Sequence, residues 1–141
     1  MSILPRLLQA LPLILAATTA VAQLAPLAET AHSNIEYASP GAAYRALRAD
    51  PTVQLREQDG WVIANDTAQR TLWTFSPKSD PAFPAVVKRQ VVERDGQLAL
   101  QMGVLCGASK TVCDDFVRRF QQLNDALARE VQRRAGAASA P

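Results

Sequence analysis

Two cysteines and a single histidine are the scarcest reactive side chains in this 141-residue chain, and their spacing limits the chemistry open to it. Cys106 and Cys113 enclose the six residues Gly107 to Val112. That is not the C-x-x-C spacing of a redox pair, and no basic or aromatic setting surrounds it to lower a thiol pKa. A structural disulfide fits an exported chain better, pinning the corner between a strand and a helix. His32 sits in an Ala-rich stretch where a catalytic dyad could not be held rigid. The serines of the later region have no histidine to partner them, and Ser76-Pro77-Lys78 lacks the S-x-x-K spacing. Asp114 and Asp115 are neighbours in a helical pattern and point in different directions, so they make no acid/base pair. The six glycines are scattered, with no phosphate loop, and Asn65-Asp66-Thr67 is a sequon of use only in a eukaryotic secretory pathway. Two Cys and one His cannot build a zinc site of several such ligands. The chain reads as a non-enzyme without metal or cofactor.

The residues suited to binding are of another kind. Trp61, Trp73, Phe75 and Phe83 are large aromatics in the middle of the chain, flanked by Lys88 and Arg89. Gathered on an open sheet face they would form a contact patch. As contacts, Trp61 and Trp73 could be replaced by Ala with loss of partner capture and no loss of fold. Arg89 is the odd member, because the hairpin register places it among apolar residues opposite Met102. An unpaired charge there is costly, so it must reach the sheet edge, pair with a carboxylate or hold a ligand anion.

The elements that position these residues follow from pattern. Arg6, the apolar stretch to Val21 and the Ala20-Val21-Ala22 motif predict a removable export signal over residues 1–22. Its uncharged apolar run is shorter than the roughly 20 residues of a membrane span, and no later stretch approaches that length. Residues 23–38 read as a flexible leader, 39–134 as one domain and 135–141 as a disordered tail. Ser39-Pro40 opens a short helix carrying Ala43, Tyr44 and Leu47, which stops before Asp50-Pro51. Five strands follow, at 53–58, 61–66, 70–76, 85–94 and 97–106, with Asp59-Gly60 and Asp95-Gly96 as two-residue hairpin turns. From Val112 a helix carries Phe116, Phe120, Leu123, Leu127 and Val131 on one stripe. Thr111 is its expected N-cap, Asp114 and Asp115 its first-turn acids, Arg129, Arg133 and Arg134 its last-turn bases, and Gly136 its stop. The fold class is α+β: a short N-terminal helix, an antiparallel meander of about five strands, and a long C-terminal amphipathic helix packed on one sheet face.

Hairpin turns also assign faces. Val87, Arg89, Val91, Leu98, Leu100, Met102 and Val104 share the side expected under the helix, and Lys88, Gln90, Gln97 and Gln101 share the side expected in water. At the first hairpin Val53, Leu55, Val62 and Ala64 lie together, which leaves Trp61 and Ile63 with Gln54, Arg56 and Gln58. The short helix, through Tyr44 and Leu47, is the natural cover for aromatics on the second side.

Charge narrows the partners. Fifteen Lys and Arg against 13 Asp and Glu, with Arg6 in the signal, leave the mature chain near neutrality. That excludes the basic footprint of an ordinary nucleic-acid binder. With Gly60-Trp61-Val62-Ile63, Thr71-Leu72-Trp73-Thr74-Phe75 and Pro84-Ala85-Val86-Val87-Lys88-Arg89 in view, the chain resembles small uncharacterised exported (periplasmic) proteins of proteobacteria. The likeness runs over about residues 35 to 134 and brings no active site with it. Proteins of this look are sometimes labelled J-domain co-chaperones, but His32 is followed by Ser33-Asn34 where that function needs His-Pro-Asp. The expectation is an accessory or binding module of the periplasm, monomeric and without a transmembrane segment, that meets another envelope protein or component. The alternative is a structural or assembly role through the long helix, against which counts that the sheet needs its one apolar stripe; a hydrolytic enzyme working without His is the third and least favoured reading.

Overall fold

A stretch whose apolar residues alternate and whose chain reverses at Asp-Gly can bury one side only by pairing with itself, and residues 54–106 do so. The computed structural model describes residues 25–26 and 35–138. Its elements in chain order are β1 (Ala25–Pro26), α1 (Pro40–Ala49), β2 (Gln54–Gln58), β3 (Trp61–Asp66), β4 (Thr71–Phe75), β5 (Ala85–Arg94), β6 (Gln97–Cys106) and α2 (Lys110–Ala138). Strands β2 to β6 form an antiparallel meander, and β1 adds to the β6 edge in parallel through Ala25–Ala99 and Pro26–Leu100. The expected signal segment and His32 lie outside the described residues.

Both Asp-Gly junctions are tight hairpins. Asp59 and Gly60 have φ of 52° and 79°, Asp95 and Gly96 of 53° and 76°, the left-handed pair that a two-residue turn matched to strand twist requires. They pair Gln58 with Trp61 and Arg94 with Gln97. The third turn differs from expectation by one residue. Arg70 is itself left-handed, at φ 51°, so it closes the turn and β4 begins at Thr71.

α1 starts where Ser39 accepts a hydrogen bond from the Ala42 N–H (3.1 Å) with Pro40 in the first turn. Asp50 ends it, its carboxylate accepting from the N–H and hydroxyl of Thr52 at 2.8 and 2.7 Å. α2 departs from the sequence reading at both ends. It begins at Lys110, so Thr111 lies inside the first turn and is not the cap. Asp114 and Asp115 then sit beyond that turn, where they pair with Lys110 (2.6 Å) and Arg118 on the helix surface and do not answer the dipole. The helix runs through Gly136 to Ala138, so Arg129, Arg133 and Arg134 are no longer in its last turn, and Glu130 engages the last two. Gly is tolerated within a helix at a cost of about 1 kcal/mol.

Each sheet face carries its own core. Under α1, Ile35, Ala43, Leu47, Val53, Ala64, Trp73, Phe75 and Val86 are buried together. Under α2, Ala82, Ala85, Val87, Phe116 and Phe120 are buried, with Trp61, Met102 and Val104 packed beside them. The side of β5 expected in water is therefore covered in part by α1 and by the chain before it, and Lys88 there keeps only 14% of its side chain exposed. The helix stripe is only half used. Phe116 and Phe120 are 0% and 7% exposed, whereas Leu123 and Leu127 are 45% and 49% exposed.

The disulfide between Cys106 and Cys113 joins the foot of β6 to the first turn of α2. Beside it, the Gly107 N–H donates to the Pro84 carbonyl (2.8 Å), and a β-carbon on Gly107 would approach the Pro84 ring within 3.1 Å, so a larger residue there requires that ring to give by a few tenths of an ångström. From this corner α2 crosses the sheet obliquely. Phe116 and Phe120 meet Trp61 at the foot of β3, Asn124 reaches Met102 on β6, and the helix then passes β1.

One ion pair locks helix to loop. Both Nη atoms of Arg119 donate to the two carboxylate oxygens of Asp80 at 3.0 Å, and Asp80 also accepts from the Ala82 N–H. Burial pushes the Asp80 carboxyl up, but the Arg119 hydrogen bond, the Ala82 N–H and the Arg119 charge together hold it below its ordinary 3.8. A carboxyl depressed by folding contributes stability above its unfolded pKa, and that contribution is lost as pH falls through the folded value. Thermal unfolding should accordingly show an acid limb below about pH 4, which Asp80→Asn flattens. An unchanged Tm-against-pH slope in that variant would remove the pair from the account.

Candidate functional site

The six aromatic and cationic residues singled out by sequence fall into three places. Trp73 and Phe75 are core residues under α1, 2% and 6% exposed. Tyr37 packs on Trp73 with ring centroids 5.6 Å apart, and Tyr44 stands edge-on to Phe75 at 5.4 Å. Trp61 lies on the other face, stacked on Phe116 at 6.4 Å and edge-on to Phe120 at 6.0 Å. Phe83, in the loop before β5, is 44% exposed. No single open face gathers these aromatics. The register of β3 against β4, Val62 with Phe75, puts Trp61 and Phe75 on opposite sides, and no sequence signal in the Thr67–Arg70 turn revealed it.

Lys88 belongs to the α1 side. Its ammonium lies 5.2 Å from the Trp73 ring centroid and 2.9 Å from Glu36. Together with Tyr37, Asp50 and Asp66 they line a cavity of about 120 Å³. Burial raises the Tyr37 hydroxyl pKa, and the charges of Glu36, Asp50 and Asp66 add to that rise. Burial also pushes the Glu36 carboxyl up, but its own backbone N–H and Lys88 outweigh this and leave it below its ordinary 4.5. The cavity thus comes with its own cation seated on its aromatic floor. Sequence reasoning missed Glu36 and Tyr37, which it placed in a leader; the signal was Ile35, which is buried at 9% exposure and ties that segment down.

Arg89 is the residue the fold leaves unanswered. It stands on β5 under α2, directly opposite Leu72 of β4 and Met102 of β6. One Nη donates to the Thr74 hydroxyl at 3.2 Å, the other to the Asn124 side-chain oxygen at 3.5 Å, and the guanidinium lies 5.7 Å from the Phe120 ring. Its Nε is buried without a hydrogen-bond partner. No carboxylate among the described residues pairs with it. Burial alone pulls its pKa below the ordinary guanidinium value. Neutral oxygens and an aromatic face hold the cation without cancelling its charge.

Around Arg89 the surface mixes apolar and polar side chains, with exposed Asn65 directly opposite Leu72 and exposed Arg56 opposite Ile63. Ile63 and Leu72 are half-buried on the same face of β3 and β4. Leu123 and Leu127 follow Phe120 by three and seven residues, which keeps them on its side of the helix. Half-buried cation, flanking leucines and an isoleucine form the arrangement best able to meet something outside the chain. Of the predicted aromatics, Trp61 lies on this face and contacts Phe120.

Among the described residues no three metal-ligating side chains come together, and no helix is long and apolar enough to cross a membrane. The Cys106–Cys113 disulfide is compatible with an oxidising compartment. Compared with known proteins, this chain matched no family model, no curated protein and no solved structure, so the account of its site rests on its own residues.

Proposed function

We propose that this chain is an exported, non-enzymatic binding module of the bacterial periplasm whose contact surface is the α2 side of the sheet, around Arg89, Leu123 and Leu127. The observation that carries the reading is the half-used stripe of α2. Two leucines stand about half exposed on the helix face whose earlier members, Phe116 and Phe120, are core. Leaving them in water forgoes roughly 25 cal/mol for each Å² of apolar surface, a loss that a ligand or partner recovers on binding. The disulfide supports the periplasmic part of the reading.

Site-specific photocrosslinking in the native envelope tests it. A photoreactive leucine analogue at Leu127 is expected to yield one predominant adduct, resolved by mass spectrometry. The same analogue at Leu55, 38% exposed on the far side of the sheet, should yield none. Equal, diffuse labelling at both positions would contradict the assignment. The exposed leucines also revive the assembly reading, since the sheet does not need the whole stripe. Light scattering separates the two: a monomer supports the binding module, and a dimer abolished by Leu127→Glu supports assembly.

A further inference from the structure

The geometry points to a ligand class for this surface: we propose that the α2 side of strands β3 to β5 binds an amphipathic monocarboxylate, an alkyl chain ending in a carboxylate, with Arg89 as its anion contact. The inference rests on the reading of the α2 side as the contact surface and goes beyond it by naming the chemistry of the occupant.

Three features combine. The first is hydrogen-bond count. Each Nη of a guanidinium carries two N–H donors. Thr74 engages one Nη and Asn124 the other, which leaves one donor on each. A guanidinium with a donor left on each Nη can still meet the oxygens of a carboxylate. The second is charge. A cation held only by a hydroxyl, an amide oxygen and the Phe120 ring is uncompensated, and an incoming anion supplies what the described residues do not. The third is the wall chemistry. Leu72 lies beside Arg89 across the β4–β5 ladder with Asn65 opposite it on β3, Ile63 faces Thr74 one pair along the same face, and Leu123 and Leu127 continue the helix side that Phe120 begins. A sheet face offers side chains only, because the backbone groups of β3, β4 and β5 are spent on one another. A peptide laid there would leave its own N–H and C=O groups unpaired, whereas a hydrocarbon chain has none to satisfy. The floor therefore favours an alkyl tail over a protein chain end.

The test uses the processed, oxidised full chain and isothermal titration with decanoate and its neutral counterpart decanol. Decanoate is expected to bind at one site and about tenfold tighter than decanol, the margin of one charge-assisted contact. Arg89→Met keeps the shape and removes the charge. It should bind decanoate about tenfold more weakly and lose the discrimination, with decanol affinity unchanged. Leu123→Gln should weaken both ligands. If Arg89→Met fails to fold by circular dichroism, the decanoate-to-decanol ratio of the unaltered protein still decides. Equal affinity for the two ligands, discrimination that survives Arg89→Met, or binding of a hydrophobic peptide with a free C-terminal carboxylate in place of decanoate would each overturn the proposal. A discrete Leu127 adduct with a protein, alongside failed decanoate binding, would sink the ligand class and leave the contact surface standing.

Discussion

Trp73→Ala is expected to lower the stability of the domain by about 3–5 kcal/mol, the usual cost of emptying a buried tryptophan site. The indole is 2% exposed on the central strand β4, with Ala64 and Lys88 as its cross-strand neighbours, Tyr37 against its ring and the Lys88 ammonium over it. The small Ala64 and the backbone of β4 are fixed by the sheet and cannot close the space. Domains of this kind have a total stability of about 5–15 kcal/mol, so the change consumes a large part of it. Urea unfolding followed by far-UV circular dichroism measures the effect, and Trp61 on the other face remains as an independent fluorescent probe. An unfolding free energy within about 0.5 kcal/mol of the unaltered protein, the scale of a surface substitution, would mean that Trp73 is not a core residue. The sequence reading took Trp73 for a contact that could be removed without harm to the fold. Burial under α1 and Tyr37 overturns that expectation.

Breaking the Cys106–Cys113 bond is expected to be the next largest perturbation, at about 2.5 kcal/mol from the entropy of the short loop it closes in the unfolded chain. Its structural consequence is local. The bond ties the last residue of β6 to the first turn of α2, and that turn sets the line along which Phe116 and Phe120 reach the sheet. Reduction, and the Cys106→Ala/Cys113→Ala double variant, should lower Tm by similar amounts. Loss of hydrogen-exchange protection should concentrate in α2 and β6, with α1 and β2 less affected. Identical Tm values for the oxidised and reduced protein would show that the corner holds through packing and the Gly107–Pro84 hydrogen bond alone.

Local rules were enough to read the strands and turns. Asp-Gly at 59–60 and 95–96 dictates two-residue turns because both positions must adopt positive φ, and alternation then assigns each side chain of β5 and β6 to a face. The stripe from Phe116, the Ser39-Pro40 helix start and the disulfide pair were legible for the same reason: each depends on residues within a few positions of one another. What joins the two hairpins was not legible. The Thr67–Arg70 turn sets Val62 against Phe75, and only that non-local register sends Trp61 to α2 and Trp73 to α1, settling a face for Trp73 and Phe75 that sequence alone leaves open. The crossing of α2 was equally hidden. Periodicity shows that Leu123 and Leu127 share a face with Phe120, but a helix's line across a sheet is set by what it packs on at its start, here Trp61, Asp80 and the disulfide corner. Arg89 falls between the two levels. Its place among apolar residues follows from the hairpin, whereas the absence of an acid beside it among the described residues depends on which helix residues arrive there, and those are Phe120 and Asn124.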